Sequence, residues 1–585
     1  MTTVGPRLPS SSFGVCLLLC TLIVGSAPSL VQAQSSELVP GAAVKGTVNS
    51  GETHTFQFTL EQDQIATITL SARDFRLLVR GVAPDGSSLP EVPHTRLGPL
   101  TMNVIATHGG RYQLSLSSLE PATLAAEYEL KLSQPRPVTS RDRRAATAAA
   151  EFQRVELLRL KSPNPDFADV VQGYRKAANT WSREGQWTEA TTAWQQLAEA
   201  YFERGDYKNA LVAFTDALAA SKRTTDEILT LTEQANTGYV QLYLGDLDRA
   251  TAIFNECERT LQKLPVSEDS NRKLLTAQLQ NNRGEVQYLR GDLKGSMQSF
   301  DRALAGLRSL GDRRGEALVH LNLGYSYLDS GRTSEANQEF DSALSGWREL
   351  SDQRGEARAL TARGELFTLL GDRYAAADSH NTARALFRLI GDRQGEAVTS
   401  NGLAKVFEDL NRKQEALDNY SLAMRLNHDI GNRDSEAVGA YYVGRVSRDL
   451  GDLPRALDYL NESLALCRKL GKKRIEALVS MDLAPILIKQ QKLNEAEKVY
   501  QSTLRYYESI SDIRRQAFAH QGLGEIHRVR GQGAAAINEY LLSFSLLQRI
   551  NDPQGQAESL FWLASISQQQ GQLKKPSTTA RRLSG

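Results

Sequence analysis

The chain has 585 residues, of which 69 are lysine or arginine and 68 are aspartate or glutamate, so its formal net charge is +1. This balance gives the chain as a whole no electrostatic basis for binding nucleic acid or an anionic membrane. The length exceeds what a single hydrophobic core supports, which favours several domains or a repeat array.

Residues 1–33 are typical of a targeting segment. Arg7 precedes a twelve-residue apolar stretch at 13–24, which is shorter than the ~20 residues that a membrane-spanning helix needs. The small-residue sequence Val-Gln-Ala at 31–33 is a plausible cleavage site. We expect a signal peptide, export to the periplasm or the extracellular space, and no membrane span in the mature chain. Retention of this segment as an anchor is the alternative.

Residues 34–135 carry the pattern of a small all-β domain. Apolar and polar side chains alternate around Phe58, Leu70, Leu114 and Leu130, and clusters of Asn, Asp, Pro and Gly separate these segments. Seven or eight short strands in about 95 residues predict an antiparallel β-sandwich. A polar linker is expected at 136–141.

From residue 142 to residue 571 the sequence repeats with a period of forty residues. Short turns mark one series of positions, at 331, 371, 411, 451, 491, 531 and 571. A second series lies half a period away, and helix-forming sequence fills every interval. Each period therefore predicts two antiparallel helices, and the whole predicts a mainly α fold, an α-solenoid. We expect about ten hairpins and a final helix, followed by a disordered tail at 572–585.

A small residue recurs seven positions before each turn of the first series. Glycine occupies this position at 284, 324, 364 and 444, although glycine inside a helix costs about 1 kcal/mol relative to alanine. Its recurrence predicts close approach of the partner helix. Aromatic residues such as Phe340 and Tyr420 are expected to fill the space that the glycines leave.

These small and aromatic positions resemble the tetratricopeptide repeat, in a longer form of forty residues. One unit carries Leu323-Gly324, Tyr327, Ala336 and Phe340 at the matching positions. The resemblance covers residues 142–571. It implies a superhelix of helix hairpins whose concave face binds a peptide or a helix of a partner protein.

The order of segments is also similar to that of a bacterial family. Its members join a signal peptide, a prepeptidase-C-terminal-like β-domain, a tetratricopeptide array and a caspase-like CHAT protease domain. The sequences at 41–46, 51–56 and 110–112 carry the resemblance to the β-domain. Because fourteen residues follow Gly571, we expect the protease domain, with its His/Cys pair, to be absent.

One face of each first helix varies freely in charge and size, whereas the packing positions stay small or apolar. We predict that this variable face lines the concave groove, with Tyr325, Tyr441 and Tyr442 exposed as anchors. A face that is merely solvated is the alternative. The predicted protein-binding residues are Asn322, Tyr325, Arg358, Glu365, Asn401, Lys405, Tyr441, Tyr442, Arg445, Arg448 and Glu525.

These features predict an exported, non-enzymatic interaction scaffold with a protein or peptide partner, without catalytic residues, cofactor or metal. His520 and His527 lie seven residues apart, not four as in a zinc-binding helix, so we expect them to be packing residues. Two alternatives remain open. One is the recognition half of a truncated or split CHAT protease system, and the other is a glycan- or cell-wall-binding module led by the β-domain.

Overall fold

The computed structural model of the chain describes residues 35–49, 51–72, 77–94, 100–118, 126–162, 165–265 and 270–569. The expected signal peptide and tail lie outside these ranges. The described residues form a small N-terminal β region followed by a long array of helices. The mainly α fold and the β region that the sequence predicts are thus confirmed.

The β region consists of two sheets. Its strands, within the described residues, are β1 (Ser35–Glu37), β2 (Ala43–Val48), β3 (Thr53–Leu60), β4 (Gln64–Ala72), β5 (Leu77–Val82), β6 (Val92–His94), β7 (Leu100–Ile105), β8 (Gly110–Ser118), β9 (Ala126–Leu132) and β10 (Arg136–Pro137). One sheet has the order β1-β3-β8-β5-β6, and the other has the order β10-β4-β9-β2, with β7 also paired to β4. The strand pairs are antiparallel except β1 with β3. Both sheets contribute to one hydrophobic cluster, with Phe58 and Tyr112 from the first and Ile68 and Leu130 from the second.

The segment predicted as a linker is ordered by contacts at both ends. Arg136 and Pro137 pair with β4 as β10, and Thr139 caps the first helix through a reciprocal capping box with Asp142. Arg136 forms a two-pronged ion pair with Asp142, at 2.8 and 2.7 Å, which holds the pKa of that carboxyl well below its usual range. These contacts join the β region to the first helix across the predicted linker at 136–141.

The first helix also contacts the β region directly. Lys161 at its end lies 2.8 Å from the Glu91 carboxylate, and Arg143 near its start forms an ion pair with Asp63. Because these two contacts lie at opposite ends of the helix, they fix its direction relative to the sheets.

Twenty-one helices follow in the described part of the chain, which is what ten hairpins and a final helix require. They are α1 (Ser140–Lys161), α2 (Phe167–Arg183), α3 (Trp187–Glu203), α4 (Tyr207–Ser221), α5 (Glu227–Tyr243), α6 (Leu247–Lys263), α7 (Ser270–Leu289), α8 (Leu293–Leu310), α9 (Arg313–Asp329), α10 (Thr333–Glu349), α11 (Gln353–Leu370), α12 (Arg373–Leu389), α13 (Arg393–Asp409), α14 (Lys413–Asp429), α15 (Arg433–Asp449), α16 (Leu453–Leu470), α17 (Lys473–Lys489), α18 (Leu493–Ser509), α19 (Ile513–Val529), α20 (Gly533–Arg549) and α21 (Pro553–Gln569). Odd-numbered helices are the first helices of their hairpins, and even-numbered ones are the second helices.

The turns between helices adopt the left-handed conformation that the glycine spacing predicts. Gly331, Gly371 and Gly451 have φ between 77° and 88°, and glycine reaches this region without steric cost. Asn411 and Gln491 take the same conformation at φ 56° and 61°. Each turn therefore needs a residue in the left-handed conformation. Asn411 and Gln491 meet this need where glycine is absent.

Close helix packing explains the recurrent glycines. A Cβ atom on Gly324 would lie 2.3 Å from the ring of Phe340, and one on Gly284 would lie 2.6 Å from the ring of Phe300. Both distances are far below a van der Waals contact. The prediction that an aromatic residue of the second helix fills the space beside each glycine is confirmed at these positions.

The array curves until helices far apart in the sequence meet. Glu203 at the end of α3 forms an ion pair with Arg354 in α11 at 3.5 Å. A Cβ on Gly205 would lie 2.8 Å from Oε1 of Gln394 in α13. The first helices between these contacts therefore line a strongly concave surface.

Candidate protein-binding surface

The first helices meet along their concave side. We call this side the inner surface; it carries the residues six positions before each hairpin turn, together with their neighbours. Before the turns from Gly205 to Gly531, these residues are Glu199, Tyr239, Glu285, Tyr325, Glu365, Lys405, Arg445, Pro485 and Glu525. Polar bridges join consecutive first helices here. Asn322 of α9 donates to Asn281 and to Glu285 of α7, both at 3.1 Å, and Tyr288 of α7 donates to Asp329 of α9 at 2.6 Å.

A cavity of about 250 Å³ opens on the inner surface between α5, α7 and α9. Its walls include Tyr243, Tyr288 and Tyr325, and its polar groups are Glu285 and Asn322. Large aromatic walls with few polar groups are typical of sites that bind a ligand or an anchoring side chain.

An aromatic cluster extends this cavity toward α3. The rings of Phe202 and Tyr243 lie 4.7 Å apart, those of Tyr239 and Tyr243 lie 5.2 Å apart, and Tyr207 contacts both Phe202 and Tyr243. The hydroxyl groups of Tyr239 and Tyr243 are 3.1 Å apart. Because these edge contacts restrain one another, the cluster presents a rigid aromatic rim.

Burial shifts the pKa values of two carboxyl groups on the inner surface. Burial raises the pKa of Glu285, and burial also raises the pKa of Glu365 to about 7, against the smaller opposing effects of Tyr325 and Lys405. By surface area, however, Glu365 is an exposed residue. Both observations fit a group that water reaches from one side while protein surrounds it on the others.

The stability of the protein should depend on pH through Glu365. The pKa of this carboxyl rises from its ordinary 4.5 in the unfolded chain to about 7 in the fold. Its contribution is therefore complete below pH 4.5 and is lost as the pH rises through 7. We expect Glu365→Gln to raise the melting temperature relative to the wild type at pH 8 and to change it little at pH 4.5.

Thermal unfolding at the two pH values measures this difference. Glu256→Gln, at an exposed position of α6, is the matched control and should show no such pH-dependent gain. A Glu365→Gln effect of equal size at pH 4.5 and pH 8 would contradict the raised pKa.

A second polar centre lies on the inner surface across α13, α15 and α17. Arg445 contacts both carboxylate oxygens of Glu408 at 2.7 Å. Arg448 donates to Asp482 at 2.5 Å, and the Tyr441 hydroxyl donates to the same carboxylate at 2.8 Å. These contacts join consecutive first helices as the bridges around Asn322 do.

The three tyrosines predicted to be exposed are half-buried, so that expectation was wrong. The ring of Tyr442 stacks on Tyr420 at 4.8 Å, with Arg445 at 5.2 Å from its centre. Tyr441 packs against Tyr442 at 5.3 Å, and Tyr325 packs against Phe340 at the same distance. The preceding hairpin thus covers Tyr442, whereas the second helix of its own hairpin covers Tyr325.

The remaining predicted residues occupy different settings. Arg358 is exposed on α11, and its charge acts on Tyr239, Tyr243, Glu285 and Tyr325. Lys405 is exposed near Glu365. Asn401 is half-buried, and its Oδ1 has no hydrogen-bond partner within the described residues. Glu525 accepts from Arg528 of its own helix at 2.6 Å and from the Tyr540 hydroxyl.

Several residues of the cavity escaped the sequence analysis. They are Tyr243, Glu285 and Tyr288, together with Tyr239, whose ring contacts Tyr243 beside the cavity. Turns at Gly245 and Gly291 place Tyr239 and Glu285 six positions upstream, the same position that Tyr325 occupies before Gly331. Extending the comparison of the variable face to these earlier hairpins would have found them.

Metal-binding geometry is not found in the part of the chain that the structure describes, where no group of three His, Cys, Asp or Glu side chains could hold an ion. His520 bonds Glu539, and His527 bonds Gln532, each at 2.7 Å. Both histidines therefore have partners other than a metal. Among the described helices, none is long and apolar enough to cross a membrane.

The helix hairpins and their glycine–aromatic packing form a repeat-like α-solenoid, which is consistent with the tetratricopeptide type. A tetratricopeptide repeat model matches residues 191–224, which fall on α3 and α4. The chain therefore contains a tetratricopeptide repeat. A comparison with curated proteins gives no match.

Solved structures that are similar to this chain include three proteins from named organisms. Aspartyl phosphate phosphatase F from Bacillus subtilis is 14% identical, with 63% of this chain and 95% of that chain covered and a TM-score of 0.40. The apo form of the quorum sensor NprR from B. thuringiensis is 14% identical, with 60% and 99% covered and a TM-score of 0.43. A signal-transduction ATPase with a tetratricopeptide repeat sensor, PH0952 from Pyrococcus horikoshii, is 12% identical, with 69% of each chain covered and a TM-score of 0.43.

Proposed function

We propose that the protein is an exported, non-enzymatic scaffold that binds a segment of a partner protein on the inner surface of its helical array. The observation that carries this proposal is the cavity between α5, α7 and α9, with its rim of tyrosines, on a rigid concave surface. Aromatic side chains in pockets that exclude water are the usual anchors of protein recognition.

Exposed apolar side chains on the same surface support the proposal. Tyr243, Leu289 and Leu369 lie two positions before their turns and are 41%, 54% and 63% exposed. Tyr243 and Leu289 line the cavity. Apolar groups aligned along a concave surface would lose contact with water when a partner segment binds.

The length of the bound segment follows from the distance between the cavity and the second polar centre. Four hairpin steps separate α7 from α15, and with a step of about 10 Å, the spacing of packed helices, the cavity and the second polar centre are roughly 40 Å apart. An extended segment of about twelve residues covers that distance.

Selection from a phage-displayed library of random dodecapeptides on the immobilised full chain tests the proposal. Selected peptides are then measured on a triple variant with Tyr243, Leu289 and Leu369 changed to alanine. We expect their affinity to fall by about tenfold or more, because the variant removes exposed anchors without touching the buried seam.

A matched triple variant controls for loss of apolar surface. Tyr374, Leu389 and Leu541 lie on second helices and are 79%, 58% and 49% exposed. Alanine at these positions should leave affinity unchanged. Equal losses in the two variants, or no enriched peptide at all, would overturn the proposal.

Export is the second part of the proposal, and it is supported by Arg7, the apolar stretch at 13–24 and the small residues at 31–33. Production of the full chain in a bacterial host, followed by mass spectrometry of its N-terminus, tests it. We expect a mature chain that begins at Gln34 and is found outside the cytoplasm. An intact Met1 on protein confined to the cytoplasm would contradict export.

A further inference from the structure

We propose that the cavity between α5, α7 and α9 takes a lysine or arginine side chain of the bound segment. This inference rests on the proposed function, because the segment must first lie on the inner surface. Two independent features carry it: the aromatic walls of the cavity and an excess of carboxylates around its mouth.

The carboxylates lie on three consecutive first helices. Glu285 on α7 accepts from Asn281 and Asn322, and Asp329 on α9 accepts from Tyr288. Glu365 on α11 interacts with the Tyr325 hydroxyl. Neutral donors therefore satisfy part of each carboxylate, and within the described ranges none of the three forms an ion pair.

Where all three carboxyl groups are ionised, the nearby cations leave this group with an excess of negative charge. Arg358 acts on Glu285, and Lys405 acts on Glu365. Three carboxylates thus face two cations, both of which are exposed. A cationic side chain in the cavity would bring the number of positive charges to three, equal to the number of carboxylates. An acidic side chain would instead add a fourth negative charge.

The aromatic walls favour the same occupant. Tyr243, Tyr288 and Tyr325 line the cavity, and the faces of tyrosine rings attract a cation that has lost part of its water. Lysine and arginine also carry long apolar stems, which can pack on such walls while the charged end reaches a carboxylate. The volume of about 250 Å³ is many times what a single water needs, so the cavity has room for such a stem.

The state of the carboxyl groups in the free protein agrees with this assignment. Burial raises the pKa of Glu285 and of Glu365. The surrounding groups therefore stabilise the negative charge of these carboxylates less well than water does. A bound cation would favour the ionised forms, so binding should strengthen as the pH rises from 6 to 8.

The dodecapeptide selection on the full chain gives the first readout. We expect enriched peptides to share one lysine or arginine, and replacement of that residue by methionine to weaken binding by about tenfold. In the double variant Glu285→Gln, Glu365→Gln, the parent peptide should bind as weakly as its methionine version. Glutamine keeps the size and an acceptor of each side chain, so the variant tests charge.

The matched control is the double variant Glu256→Gln, Glu462→Gln, whose positions are exposed on the second helices α6 and α16; it should bind the parent peptide as the wild type does. Enriched peptides without a shared basic residue would overturn this inference and leave the proposed function standing. A methionine substitution that costs the same affinity in the wild type and in the Glu285→Gln, Glu365→Gln variant would also overturn it. No enrichment at all would overturn both.

Discussion

Replacing Phe340 with alanine is expected to lower the free energy of unfolding by about 3–5 kcal/mol. The Phe340 side chain is fully buried and packs against Gly324, where no Cβ can enter its space, and against the Tyr325 ring at 5.3 Å. Phe340 also belongs to a buried cluster with Leu344 and Leu360, and such neighbours relax only partly into the cavity that alanine would leave.

Urea unfolding followed by circular dichroism measures this loss. Because each hairpin contacts mainly its neighbours, amide hydrogen exchange should increase in α9–α12 more than in α17–α20. Tyr374→Ala, at a position that is 79% exposed, should change stability by less than about 0.5 kcal/mol. A Phe340→Ala loss as small as that of the control would show that the glycine–aromatic seam is not what holds the hairpins together.

Replacing His380 with phenylalanine is expected to stabilise the protein by about 1–3 kcal/mol at neutral pH. His380 occupies the position that Phe300, Phe340 and Tyr420 occupy in other hairpins. It is 1% exposed, and its Nδ1 has no hydrogen-bond partner among the described residues. Gly364 and Gly402 flank its ring, so a phenyl ring fits with the same backbone.

The gain should be larger in acid. Burial lowers the pKa of His380 from its ordinary 6.5 to about 4. The stability that depends on the neutral ring is present above pH 6.5 and is lost as the pH falls toward 4, by about 3 kcal/mol. His380→Phe removes this loss.

Urea unfolding at pH 7.5 and pH 4.5 compares the His380→Phe variant with the wild type. The reciprocal variant Phe340→His should lose stability, and more of it at pH 4.5. A His380→Phe gain that is absent at both pH values would contradict the interpretation that a buried, unsatisfied imidazole destabilises this hairpin.

The sequence predicts the hairpins well because their determinants are local. A left-handed turn needs glycine or a tolerant residue such as Asn411, and close packing needs a small residue such as Gly324 beside an aromatic one such as Phe340. Both requirements recur at a fixed spacing. They therefore appear in the sequence without knowledge of any long-range contact.

The exposure of the inner surface is less predictable, because it depends on contacts between hairpins. A helical wheel places Tyr441 and Tyr442 away from the core of their own hairpin, yet Asp482 of the next first helix bonds one and Tyr420 of the preceding hairpin covers the other. The pattern of one helix does not contain these neighbours.

The curvature of the array likewise cannot be predicted from the sequence of a single repeat. The small rotation between hairpins accumulates until Glu203 meets Arg354. The pairing of β10 with β4 at the predicted linker is likewise a long-range contact, since it joins segments about seventy residues apart.

Photocrosslinking of a selected dodecapeptide tests most directly whether the inner surface binds the partner segment. A benzophenone side chain is placed singly at Leu369, in the position equivalent to Tyr243 and Leu289, or at Tyr374 on the second helix of the same hairpin. The proposed inner-surface site predicts that the peptide is captured from position 369 and not from position 374. Capture from 374 alone, or equal capture from both positions, would contradict it.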